Sequence, residues 1–167
     1  MKNEKLLRLV KELLKNSKRS DREIAKRLGL SQATITRRRA QLQKEGYIKT
    51  FTVIPDFVKL GYEILAFTFS KMKSYPTTEE TEKIAQRARE WVDKRPNIIF
   101  SADGQGLGGK DTVMMSFHRN YSKYADFMRT YAMKWGHVIS GFESFVVSLD
   151  SRYKMKPLDL KYLADDK

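Results

Sequence analysis

The chain has 167 residues, with 33 Lys+Arg against 20 Asp+Glu and a formal net charge of +13. It contains no cysteine, which excludes disulfides, thiolate zinc sites and a cysteine nucleophile, and fits a reducing compartment. No apolar run approaches the ~20 residues of a membrane span, and the opening M-K-N-E-K-L-L-R-L-V-K-E-L-L-K is broken by charge every two or three residues, unlike a signal peptide. The expectation is a cytoplasmic protein without a membrane partner.

The charge is unevenly placed. Residues 1–50 hold 15 Lys+Arg and 5 Asp+Glu, a net +10, whereas residues 51–167 hold 18 and 15, a net +3. A basic first third followed by a near-balanced remainder predicts a nucleic-acid module joined to a unit with another job. The plain alternative is a charged helical face that keeps the protein in solution.

Leu6, Leu7, Val10, Leu13 and Leu14 recur at helical spacing and predict a helix over 4–15. After a polar break at 15–19, Ser20 and Glu23 make the S-x-x-E capping box of a second helix, whose apolar stripe is Ile24, Ala25 and Leu28 and whose end is Gly29. Ser31 caps a third helix that runs to Gly46. The connection between helices two and three is too short for parallel packing, so they must cross steeply, as in a helix-turn-helix.

Next, Y-I-K-T-F-T-V-I-P (residues 47–55) is rich in β-branched and aromatic residues and predicts a wing strand. D-F-V-K-L-G-Y (56–62) reads as a linker. The remainder alternates: a strand over 64–71; a helix opened after Pro76 by Thr77-x-x-Glu80, with stripe Ile84, Ala88, Trp91 and Val92; a short strand over 98–102; a glycine-rich loop over 103–110; a strand over 112–118; a helix over 122–135 burying Tyr124, Phe127, Met128, Tyr131 and Trp135; and a strand over 138–149, bent at Gly141. The order β-α-β-β-α-β is that of a ferredoxin-like fold. The expected fold class is α+β, an N-terminal winged helix-turn-helix followed by a ferredoxin-like βαββαβ domain. The expected organisation is a DNA-binding domain over 1–54, a linker over 55–63, an oligomerisation and effector domain over 64–150, and a tail over 151–167 whose docking, on the sheet or on a partner, the sequence leaves open. Two helices on one face of an antiparallel sheet leave the other face open, so a second copy of the chain is expected to cover it.

Turning Ile35 and Leu42 toward the core points Ala33, Arg37, Ala40 and Lys44 outward, flanked by Thr34, Thr36 and Gln41. Small residues at Ala33 and Ala40 let the helix approach a groove floor. Gln32, Thr36 and Arg37 are the candidates for base edges, Gln matching adenine and Arg matching guanine. Ser31, Thr34, Arg38, Arg22 and Lys49 are the candidates for phosphates. The alternative is a solvated basic helix with no sequence preference.

D-G-Q-G-L-G-G-K-D (103–111) contains G-x-G-x-x-G (Gly104, Gly106, Gly109) and G-x-x-x-x-G-K (Gly104, Gly109, Lys110). Both nucleotide motifs need a helix to follow. Here D-T-V-M-M-S-F-H follows, a strand pattern, and Asp111 stands where a P-loop has Ser or Thr, so a hairpin loop is the favoured reading. His118 and His137 lack metal-ligand spacing. No catalytic residue, metal site or cofactor is expected.

Three features together resemble the Lrp/AsnC (leucine-responsive regulatory protein) family of transcription regulators in an archaeal-type form: I-A-K-R-L-G-L-S-Q-A-T-I-T-R-R-R-A-Q-L-Q-K-E-G-Y-I (24–48), the segment F-T-V-I-P-D-F-V-K-L-G-Y (51–62), and the β-α-β-β-α-β order. Two features depart from the family pattern. Arg39 stands where an aliphatic core residue is usual, which would make it snorkel outward, and the 103–111 loop is long and glycine-rich. The resemblance implies double-stranded DNA as partner, a homodimer or an assembly of dimers up to a tetramer or octamer, and a small effector such as an amino acid. That effector would lie near the hairpin, between subunits, where Ser101, Asp103, Gly104 and Gly106 could meet it. Two other readings stay open: a sirohaem-decarboxylase-like enzyme on the same scaffold, and a non-specific chromatin-like DNA binder.

Overall fold

The structure is a computed structural model that describes residues 2–73, 77–153 and 156–166; Pro76, expected just ahead of the fourth helix, lies outside them. Contacts divide the chain into two units, Met1–Ile54 with Lys154–Lys167, and Pro55–Tyr153.

The first unit holds α1 (Lys2–Lys15), α2 (Asp21–Leu28) and α3 (Gln32–Lys44). The local signals act as their chemistry predicts. Ser20 and Glu23 form a reciprocal capping box, Gly29 takes the left-handed conformation at φ 64°, and the Ser31 hydroxyl accepts from the Thr34 amide. Leu6, Leu9, Leu13, Ile24, Ala25, Ile35 and Leu42 form the core, with Val10, Leu28, Leu30 and Ile48 packed against it. On α1 the buried face is Leu6, Leu9, Val10 and Leu13, an i, i+3, i+4, i+7 stripe, and Leu7 of the expected stripe is exposed.

The expected wing strand does not form within the chain: residues 47–56 carry no helix or strand. Their β-branched side chains favour a pleated surface only where a neighbouring ladder exists, and the unit's regular elements are helices alone; Val53 is 80% exposed. The tail docks on the first helix of its own unit. Its 3₁₀ helix, Leu160–Asp165, packs on α1, buries Ala164, and adds a Lys15–Asp165 ion pair at 3.2 Å.

The second unit runs β1 (Ile64–Met72), α4 (Thr78–Asp93), β2 (Ile98–Gly106), β3 (Lys110–His118), α5 (Tyr121–Trp135) and β4 (Ile139–Ser148). Its sheet has the order β2-β3-β1-β4 with antiparallel neighbours, the ferredoxin-like arrangement. Trp91 of α4 and Trp135 of α5 share one core with Ile98, Met114 and Ile139 of the sheet. The irregularity expected at Gly141 is a bulge at Ser140: Lys71 pairs with Gly141 and Met72 with Ile139.

The glycine-rich loop is shorter than expected. β2 continues to Gly106 and β3 starts at Lys110, so only 107–109 turn. Pairing of Asp103 with Thr112 and of Gly106 with Lys110 satisfies backbone groups that a loop would leave to water. Leu107, Gly108 and Gly109, all at positive φ, close the hairpin. A strand follows, so the backbone forms no phosphate cradle.

Ala66, Thr68 and Ser70 of β1 are buried on the helix side, where Thr68 meets Met128 and Ser70 meets Tyr131. Leu65, Phe67 and Phe69 therefore face the other way. Phe67 pairs across with Met115 and with Phe145, the latter 68% exposed. Part of this apolar face is covered from within by Phe57, stacked on Phe117 at 4.2 Å.

Candidate nucleic-acid interface

α3 is held on two sides. Ile35 and Leu42 are fully buried. On the adjoining edge, Asp21, the first residue of α2, acts as a clasp: the Thr36 hydroxyl donates to its Oδ2 at 2.6 Å, and Arg39 donates through Nε at 2.9 Å and pairs through Nη2 at 2.7 Å, both on Oδ1. Arg39 also donates to the Arg19 carbonyl at 3.3 Å and lies over the Phe51 ring. The Thr36 hydrogen bond first, and then Arg39, hold the Asp21 carboxyl below its usual range. Arg39 therefore does not snorkel outward; it lies half-buried and ties α3 to the start of α2. Sequence reasoning missed this pair because no local spacing signals a contact between residues 18 apart on two helices.

The opposite face is free. Ala33, Arg37, Ala40 and Lys44 are exposed. Among the described residues, the side chains of Arg22, Gln32, Arg37 and Lys49 are exposed and make no hydrogen bond or ion pair, and Arg38, half-buried, makes none either. Thr36 keeps only lone pairs for a base, its proton being committed to Asp21. Ser31 and Thr34 bond each other at 2.8 Å, and Gln41 donates to Glu45 at 2.7 Å. The three arginines thus divide: Arg37 and Arg38 are available to a ligand, and Arg39 is structural.

In the second unit, Ser101, Asp103 and Gly104 line a cavity of about 410 Å³ between α4, α5 and the sheet, while Gly106 lies outside its lining. His118 is buried, with Nε2 2.9 Å from the Ser116 hydroxyl; burial holds its pKa below the usual histidine range. His137 is exposed and stacks on Trp135. Among the described residues no cluster of His, Asp and Glu could hold a metal ion, and no helix is long and apolar enough to cross a membrane.

Residues 2–49 match the winged helix-turn-helix DNA-binding family model. An HTH-type transcriptional regulator of Pyrococcus horikoshii is 30% identical over 113 residues, covering 68% of this chain and 70% of that protein. The AsnC family transcriptional regulator of Agrobacterium tumefaciens shares the fold, with a TM-score of 0.72 at 20% identity over 96% of this chain and 97% of that one. The chain belongs to the Lrp/AsnC family. A second Lrp/AsnC-like fold, a transcriptional regulator of Neisseria meningitidis solved as an L-Met complex, superposes with a TM-score of 0.72 at 18% identity, covering 95% of this chain and 97% of that one. The chain spans about half the length of other Pyrococcus regulators that it matches.

Proposed function

We propose that this Lrp/AsnC member is a sequence-specific, double-stranded-DNA-binding transcription regulator that works in the cytoplasm as a homodimer or an assembly of dimers, and is not an enzyme. One observation carries the reading. α3 presents Gln32, Ala33, Arg37 and Arg38 without internal partners while Asp21, Ile35, Arg39 and Leu42 hold its other sides. A rigid helix with a free polar edge and small residues is what the major groove admits. Gln32 and Arg37 read base edges; Arg38, Arg22, Lys49 and the amino end of α3 at Ser31 and Thr34 hold phosphates.

The exposed apolar face around Phe67 and Phe145 supports the dimer, since a face of this kind is covered in assemblies. Doubling the unit doubles the phosphate contacts, so affinity falls steeply with salt. Half-sites are then near whole helical turns apart on one DNA face. The Neisseria relative's L-Met complex supports a small-molecule effector in the second unit.

Selection of bound fragments from random duplex DNA, followed by footprinting at rising salt, tests the proposal. A recurrent pseudo-palindrome with protection that stays localised is expected. Uniform, salt-labile protection would show a non-specific binder instead. A Soret band in the purified protein, or after addition of a tetrapyrrole, would reinstate the enzyme reading.

A further inference from the structure

We propose that the cavity beneath α4 binds a small amphiphilic amine: a compact apolar body, aromatic by preference, carrying one protonated nitrogen. The inference deepens the effector part of the function proposed above, and its test needs no DNA, so the two can fail separately.

The first observation is a helix that does not close on its sheet. α4 carries an apolar stripe, and an amphipathic helix ordinarily buries its stripe against the core. Here only Trp91 is buried. Ile84, Ala85, Ala88 and Val92 are half-buried and line the cavity. The space, about 410 Å³, is in the range of ligand sites, and an apolar cavity of ~150 Å³ already takes a benzene-sized ring. Its inner wall is aromatic. Trp91 and Trp135 meet edge to face at 6.1 Å, and Tyr131 lies 5.7 Å from Trp91. Beside them the sheet contributes hydroxyls where an ordinary core has aliphatic groups: Ser70, bonded to the Tyr131 hydroxyl at 2.6 Å, and Thr112.

The second observation is the charge of the lining. Asp103 and Asp111 line the cavity, and among the described residues no Lys, Arg or His does. Asp111 accepts the Met72 amide at 2.6 Å. Asp103 has no hydrogen-bond or ion partner among the described residues. The backbone aims it there. Ile98 pairs with Ser116 but Phe100 pairs with Met115, so Ile99 is an extra residue in β2. The bulge reverses the alternation, sending Phe100 to the open face and Ser101 and Asp103 to the cavity; re-aiming a side chain is what bulges do at binding sites. An anion entering this lining meets carboxylates and no cation. A free amino acid would leave its own carboxylate without a basic partner. An ammonium group gains the Asp103 carboxylate at the rim while its apolar body displaces water from the aromatic wall.

The chain's two tryptophans both line the cavity, so intrinsic fluorescence of the full chain reports occupancy directly. The probes are 2-phenylethylamine, its anionic counterpart 3-phenylpropionate, and phenylalanine. The amine is expected to shift emission saturably, with the acid and the amino acid at least about tenfold weaker, or 1.4 kcal/mol. Asp103→Asn, at an exposed position, should weaken the amine about tenfold and erase the preference over the acid. Ala88→Phe should abolish the response by filling the space, with circular dichroism confirming the fold. No saturable response to the amine, equal binding of amine and acid, phenylalanine binding as tightly as the amine, or an Asp103→Asn protein that binds the amine unchanged would each overturn the proposal.

Discussion

Replacing Arg39 by alanine should loosen the helix-turn-helix without removing any group that faces outward. The pair sits between regimes: both side chains are 20% exposed, so it exceeds an exposed ion pair at about 0–1 kcal/mol and falls short of a fully buried one, whose breaking costs about 3–5 kcal/mol. Two charge-assisted hydrogen bonds on one carboxylate oxygen, with Thr36 retained on the other, place the loss near 2 kcal/mol. For a unit of roughly 60–100 residues, where each kcal/mol moves the midpoint by about 4–8 °C, the first unit's transition should fall by about 10 °C. The decisive assay is a double-mutant cycle of Asp21→Ala and Arg39→Ala by thermal and urea unfolding, with a coupling of about 1–2 kcal/mol expected. The pH dependence has a definite sign. The Asp21 carboxyl is held below the ordinary aspartate value of 3.8, so the clasp contributes fully above that value and is lost as pH falls through the lower folded-state value. The coupling should therefore be the same at neutral pH and in mild acid. Additive single-mutant losses at neutral pH, or a coupling that disappears already in mild acid, would refute the clasp.

Other outcomes follow from the same geometry. Arg37→Ala should cost about 1–3 kcal/mol on the selected site and relax its sequence preference, whereas Arg38→Ala should weaken all duplexes alike and reduce the salt slope by about 1, as read by fluorescence anisotropy over a salt series. Phe145→Glu puts a charge midway along the edge strand β4 on the open sheet face, at a position 68% exposed in the single chain. It should leave the fold intact and shift sedimentation from dimer to monomer; an unchanged dimer would place the interface elsewhere. Burial holds His118 below the ordinary histidine value of 6.5, so the unfolded chain binds a proton first as pH falls. The second unit should lose stability below that value, and the loss should vanish in His118→Gln.

Much of the DNA-facing unit was legible because its signals are local. Ser20, Glu23, Gly29 and Ser31 each act on backbone groups within one turn of themselves, and the Ile35–Leu42 spacing sets which side of α3 is buried and hence which side shows Arg37. The same holds for the hairpin order of the second unit, where alternation and helical periods differ enough to be told apart. The expected edge of α3 was less complete. Thr36 reads as a groove contact by angle, yet its hydroxyl proton is taken by a carboxylate from another helix. Arg39 reads as an outward snorkel by its position, yet the same carboxylate draws it in.

The sequence by itself determined the caps, the turn glycine, the basic helix and the β-α-β-β-α-β order, since each depends on residues a few positions apart. Only the tertiary structure decided the Asp21 clasp, the docking of the tail on α1, the irregular, non-strand course of residues 47–56 and the bulge that turns Asp103 toward the cavity. All four are contacts or registers between distant segments. A strand propensity is silent on whether a partner ladder exists, and a one-residue shift in pairing reverses every side chain beyond it.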